Sequence, residues 1–416
     1  MFTLAYGTDS KIELELENDA LVTVCDAPRG TALSDVAGEA RRALAAPREF
    51  PPLEKAALPG DKVVLALDSG VPRAATIVAH TIEVLLSAGV LASDITLLTR
   101  PGGTSPDDAL AELPAKARSA VTGKVHDPRD RERLSYLAAT EEANPIYIHR
   151  AIHNADLVVA IGSLRLPHTL GYHGIYSGIF PTFSDAGTLA RFRSPKAVRL
   201  DEQERLRKEA DEVGWLLGSR FTIQVVPGAG DDVLHILAGD QEAVLVAGGK
   251  LCEAAWSFEV PQRVELVVAA IGGDAAQQTW DNVGRALAAA ARVLEENGDV
   301  VICSHLELPP GPGMERIIGA DDVHVALREI AREKPVDSLP ATQLGEALER
   351  GRVYLLSDLP DERIEELGMV PLDEDSVPNV ASRYGSCVVL SNAQHAQAWP
   401  SGQFDAVKPR ARKSRS

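Results

Sequence analysis

DKVVLALDSGVPRAATIVAHTIEVLLSAGVLASDITLLTRPGG, residues 61–103, decides the fold. Two continuous apolar runs, VVLAL and ITLLT, each stop at a turn, Asp-Ser-Gly after the first and Arg-Pro-Gly-Gly after the second. Between them TIVAHTIEVLLSAG carries helical periodicity and ends in glycine. Strands that are apolar throughout rather than alternating are buried on both faces, as in a parallel sheet covered by helices. The rhythm returns in DLVVAIGSLRLPH, residues 156–168. Runs 63–67, 95–98 and 157–161 are therefore predicted to be neighbouring strands of a parallel α/β sheet, with Asp68, Arg100 and His168 emerging at one edge. Ligands bind beyond the carboxyl ends of such strands, so the loops at 68–73, 99–104 and 162–183 are the places to look.

Working outward, KIELELE from Lys11 alternates like a half-buried strand, and LVTVCDAP from Leu21 is a second strand. SDVAGEARRALAAP reads as a helix capped by Ser34 and ended by proline. Helices are expected at 107–120, across IYIHRAIHNA, at 241–257 and at 277–296, and FTIQVVPGAG with DVLHILAGD reads as a hairpin. VPQRVELVVAAIGGD opens a second unit. The expected architecture is two α/β domains with parallel-rich sheets. The first covers residues 1–258 and the second residues 261–380, while 381–416 is a segment that returns to the first domain and ends in a basic tail.

The 416 residues carry a net charge of −18, and an acidic surface argues against nucleic acid or an anionic membrane as partner. Four cysteines, Cys25, Cys252, Cys303 and Cys387, have no metal-type spacing and read as buried thiols. No signal-like start and no apolar run of about 18 residues is present, so the expected location is the cytoplasm.

PHTLGYHGIYSGIFPTFSD, residues 167–185, is the densest polar loop and holds His168, Tyr172, His173 and Tyr176 among glycines that let a ligand approach the backbone. A histidine at a strand end has the chemistry of a general base, or simply bonds the backbone. Asp68 either orients a ligand hydroxyl or caps the next helix. Arg73 and Arg100 either grip a carboxylate or phosphate or form surface ion pairs. His126 reads as structural. His149 and His153 have i, i+4 spacing, yet no third metal ligand is in sight. GGDAAQQTW lacks the dinucleotide-binding glycine spacing.

REFPPLEKAALPGDKVVLALDSGVP, the stretch RLSYLAATEEANPIYIHRAIHNADLVVAIGSLRLPHTLGYHGIYSGIFP and IGGDAAQQTWDNVGRAL resemble the nickel-pincer lactate racemases and their 2-hydroxyacid racemase and epimerase relatives. The resemblance implies two α/β domains with an interdomain active-site cleft. It also implies a nickel-pincer nucleotide joined to a lysine, and two histidines that exchange a proton with a hydroxy acid. Position by position, the loop aspartate and proline fall on Asp68 and Pro72, while its threonine and arginine fall on Gly70 and Val71. Arg73 is then the nearest substitute for the substrate-gripping arginine. One proton-transfer histidine falls on His168, and the other falls near 100–104, where no histidine stands. The cofactor lysine falls on Ser177, the nickel histidine near Arg193, and the second-domain motif on Asp281, Asn282 and Arg285. Cofactor contacts are implied at Asp68, Tyr172, Ser177 and Asn282, and substrate contacts at Arg73 and Arg285. Three activities follow as alternatives. The first is a racemase or epimerase holding the nucleotide non-covalently. The second is an inactive relative binding a small anionic ligand, and the third a different reaction around His168, Asp68 and Arg285.

Overall fold

A computed structural model describes residues 2–403 except 15–19, 27, 141–142, 167–169, 172, 175, 199, 219–220 and 321. His168, Tyr172 and the basic tail lie outside the described residues. The strands are β1 (Phe2–Tyr6), β2 (Ser10–Leu14), β3 (Leu21–Cys25), β4 (Val63–Leu67), β5 (Ile95–Thr99), β6 (Thr122–Val125), β7 (Leu134–Ala139), β8 (Pro145–His149) and β9 (Leu157–Ser163). They continue as β10 (Phe221–Pro227), β11 (Val233–Asp240), β12 (Ser257–Val260), β13 (Val264–Ala270), β14 (Leu294–Cys303), β15 (Val353–Leu356), β16 (Val370–Leu372), β17 (Cys387–Leu390) and β18 (Gln397–Pro400).

The first sheet has the order β11-β10-β9-β4-β5-β6. Only β10 and β11 are antiparallel; the rest run parallel. The apolar runs at 63–67, 95–98 and 157–161 are thus neighbours, with β4 between β9 and β5, and every residue of β4 is buried. Helices Val36–Ala45 and Ala74–Ser87 cover one face, where Ile77, Val78, Ile82 and Leu85 meet Leu65, Leu97 and Ile161. Phe180, Phe183, Phe192 and Leu206 cover the other.

The second sheet, β16-β15-β14-β13-β17-β3, is wholly parallel. Its membership corrects two expected boundaries. β3 lies in this sheet, and the β1–β2 hairpin packs Leu4, Tyr6, Ile12 and Leu14 onto Leu266, Val268, Ala270 and Val301. Strands β1, β2 and β3 therefore complete the second unit rather than opening the first. β17 also lies here, between β13 and β3. The chain after it reaches back to the first unit, as expected: Asn392 Oδ1 accepts from Gly230 N–H at 2.7 Å, His395 lies 5.3 Å from the Trp256 ring, Ala396 packs with Leu164 and Trp256, and β18 pairs in parallel with β12.

Four helix expectations are corrected. Residues 145–149 form a strand, because Ile146 and Ile148 alternate inward with period two, and only Arg150–His153 is helical. Residues 107–120 hold two single turns, Pro106–Ala109 and Ala115–Arg118. The helix expected at 277–296 is Trp280–Ala290, started by the Thr279 side chain accepting from Asn282 N–H. Asp35, not Ser34, caps the first helix through Gly38 N–H at 2.8 Å. Among the described residues no helix is long and apolar enough to cross a membrane.

Leu4 is fully buried against the second sheet. Leu4→Ala should cost about 3 kcal/mol. Hydrogen exchange should show β13 and β14 losing protection before β4 and β9. Equal loss in both sheets would contradict the assignment of the N-terminal hairpin to the second unit.

Candidate functional site

Three adjacent strands end together. Arg165 follows β9, Asp68 follows β4 and Arg100 follows β5, so the strand order places a carboxylate between two guanidinium groups. Asp68 N–H still bonds Ile161 O at 2.9 Å, which extends the ladder and fixes the aspartate's direction. Arg100 Nη1 lies 3.2 Å from Asp68 Oδ1, and Arg165 Nη2 lies 4.0 Å from Oδ2. Burial works against the Asp68 carboxylate, but the two guanidinium groups outweigh it and hold the carboxyl below its ordinary range.

The helix Trp280–Ala290 supplies the facing wall. Its Asp281 pairs with Arg193, whose Nη1 also donates to Val336 O at 3.0 Å. Burial opposes ionisation of Asp281, but Arg193 and Arg285 hold it well below the usual carboxylate range. Asn282 is buried, donates to Gln277 O at 2.6 Å and accepts from Arg285. Burial, then Arg165, pulls Arg285 down to about 9, the mark of a cation with too little counter-charge.

These side chains line two adjoining cavities, one of about 70 Å³ and one of about 390 Å³, walled by residues from both units. Arg100, Arg165, Arg193 and Arg285 face Asp68 and Asp281 in both the geometry and the lining, an excess of two positive charges. In a protein of net charge −18 such a local reversal concentrates anions. The smaller cavity has room for a carboxylate- or phosphate-sized head, and the larger lies within the range of ligand pockets, roughly 300–1,000 Å³.

Two neutral imidazoles border the arginines. Burial and Arg165 push His173 down to about 3, and burial and Arg285 do the same to His395. His173 Nε2 is buried without a partner, while Nδ1 lies 3.4 Å from Ser177 Oγ. At these values neither ring is an effective base near neutrality; each is a neutral hydrogen-bonding group for an incoming ligand.

Of the residues singled out in the sequence, Asp68, Arg100, His173, Ser177, Arg193, Asn282 and Arg285 converge here. Arg73 does not, which is a correction. Its backbone is left-handed (φ 55°), Val71 beside it turns into the core, and its half-exposed side chain pairs with Asp231 at 3.7 Å. His149 and His153 do not share a helix face, since His149 precedes the single turn and its Nδ1 accepts from Ala151 N–H at 3.1 Å. His126 is structural, bonding Ser184 O at 2.8 Å beside Phe183. Arg165 and His395 escaped the sequence reading. Arg165 hides between Leu164 and Leu166, both buried, but it ends an apolar run just as Arg100 does.

Asp68→Asn should destabilise the protein at pH 7 by about 3 kcal/mol, because Arg100 and Arg165 lose the charge between them. The folded pKa of Asp68 is depressed, so its contribution is full above the unfolded value of about 3.9 and lost as pH falls through the lower folded value. Urea titrations should show the difference between the two proteins persisting down to about pH 4 and closing only below it. A difference that has closed by pH 5 would contradict the clamp.

Residues 6–196 match the lactate racemase N-terminal domain. No curated protein sequence matches the chain. Its structure is similar to that of the lactate racemase apoprotein from Thermoanaerobacterium thermosaccharolyticum, with a TM-score of 0.76 and 18% identity over 95% of this chain and 99% of that one. It is also similar to a protein from Thermotoga maritima, with a TM-score of 0.65 and 14% identity over 88% of this chain and 98% of that one. The chain is thus similar to the lactate racemase N-terminal domain over residues 6–196, and it shares the fold of the lactate racemase apoprotein over 95% of its length.

Proposed function

We propose that this lactate racemase-like chain binds a small organic anion, a 2-hydroxy acid or a phosphate-bearing analogue, in the arginine pocket, and does so without a covalently attached nickel-pincer nucleotide. The observation that carries this reading is the Arg165–Asp68–Arg100 row facing Arg285. Asp68 spaces the two arginines and leaves each with donors to spare, and Arg285 supplies a third fork from the opposite wall. His173 Nε2, buried and unpartnered, is placed to hydrogen-bond a ligand hydroxyl or carboxylate.

The fit to the nickel-pincer group fails at the attachment point. Ser177 stands where the lysine would be, and its Oγ is committed to Gly174 O at 2.9 Å. No lysine lines either cavity among the described residues. Nor do the described residues contain a group of three or more His, Cys, Asp and Glu placed to hold a metal ion. The larger cavity leaves room for a nucleotide bound reversibly, which keeps a racemase or epimerase with a dissociable cofactor as the second reading.

Two experiments test the proposal. Calorimetry at pH 7.5 with phosphate, lactate and glycolate should detect saturable binding that raises Tm. Arg165→Gln and Arg285→Gln should each weaken it by about 10- to 100-fold, the worth of one charge-assisted hydrogen bond. Binding undiminished in the double variant would reject the pocket. Separately, intact-mass measurement under denaturing conditions, after co-expression with enzymes that make the pincer nucleotide, should return the unmodified chain mass. An added mass that maps to residues 172–183 would contradict non-covalent use.

A further inference from the structure

We infer that Ser10, His305 and Asp358 form a second reactive centre, apart from the arginine pocket, in which Ser10 is a nucleophile toward acyl esters. The three come from distant parts of the chain. Ser10 opens β2, His305 follows β14 by two residues, and Asp358 follows β15 by two residues. β14 and β15 are parallel neighbours, so His305 and Asp358 emerge together at the carboxyl edge of the second sheet, the edge where α/β proteins place their ligands.

The atoms are in relay order. Ser10 Oγ lies 2.8 Å from His305 Nε2, and His305 Nδ1 lies 3.1 Å from Asp358 Oδ2. A carboxylate only accepts, so Nδ1 carries the ring proton and Nε2 presents its lone pair to the serine hydroxyl. This is the tautomer a serine nucleophile needs, with the carboxylate orienting the ring. The ring is fixed from three sides. Tyr6 stacks on it at 4.8 Å, and Gly7, in the left-handed region (φ 58°), approaches so closely that a Cβ there would lie 2.2 Å from His305 Cδ2. Gln278 Oε1 accepts from His305 N–H at 3.0 Å and from Ser304 Oγ at 2.8 Å. A purely structural tie between hairpin and sheet would not require the glycine contact, the stacked ring and the carboxylate all to act on one imidazole. His305 is about one-third exposed, so the centre is open to a substrate.

In the reaction, Ser10 Oγ bonds to the ester carbonyl carbon as its proton passes to His305 Nε2. That proton then leaves with the alcohol as the ester C–O bond breaks. Water reverses the sequence, giving its proton to His305 and its oxygen to the acyl carbon, and Ser10 regains its proton as the carboxylic acid departs.

The test uses the full chain with a fluorophosphonate probe and with p-nitrophenyl acetate. Labelling should map to Ser10 and vanish in Ser10→Ala. It should slow by at least about 100-fold in His305→Gln, the usual worth of a general base. Asp358→Asn, a change at a half-exposed position, should slow labelling and shift its pH profile without loss of fold, as circular dichroism would show. Absence of label at Ser10 in the folded protein would overturn the inference. Labelling at Ser10 that is unchanged in His305→Gln or Asp358→Asn would overturn it equally.

Discussion

Asp68 holds apart two arginines that would otherwise repel each other at the edge of the first sheet. The order β9-β4-β5 delivers Arg165, Asp68 and Arg100 from neighbouring strand ends, so the side chains inherit the spacing of the sheet. Burying a guanidinium is costly unless a counter-charge accompanies it. Asp68 supplies that charge for two of the four arginines, and Asp281 does so for Arg193 and Arg285 from the facing helix. The remaining positive excess is the basis of the proposal that the cavity takes an anion.

Much of this was legible in the sequence. The apolar runs of β4, β5 and β9 end at polar turns, and their burial on both faces follows from composition alone. Asp68, Arg100, Ser177, Asn282 and Arg285 were singled out because they stand at strand ends or at positions where the resemblance implied site residues. Other features depend on partners far away in sequence. Ile12 reads as part of an ordinary half-buried strand, and nothing local says that it and Leu4 cover β13 and β14. Residues 145–149 carry a strand's alternation too short to outweigh the helix-like residues that follow. Arg193 with Asp281, Ser10 with His305, and His305 with Asp358 are contacts between chain segments 53 to 295 residues apart, and no periodicity reports them.

The fold follows lactate racemase over 95% of the chain at 18% identity, because burial constrains the strand cores more than any single side chain. In the pocket His173 and His395 are held neutral by burial and by the arginines around them. A ligand that brings negative charge would relieve that field and make both imidazoles easier to protonate.

Crystals grown without phosphate and soaked in submillimolar tungstate test the central claim most directly, because the heavy anion locates itself by anomalous scattering. The account predicts one dominant peak between Arg100, Arg165 and Arg285, absent from crystals of the Arg165→Gln protein. Peaks confined to the outer surface, with the pocket empty of density and Arg285 turned out into solvent, would contradict it.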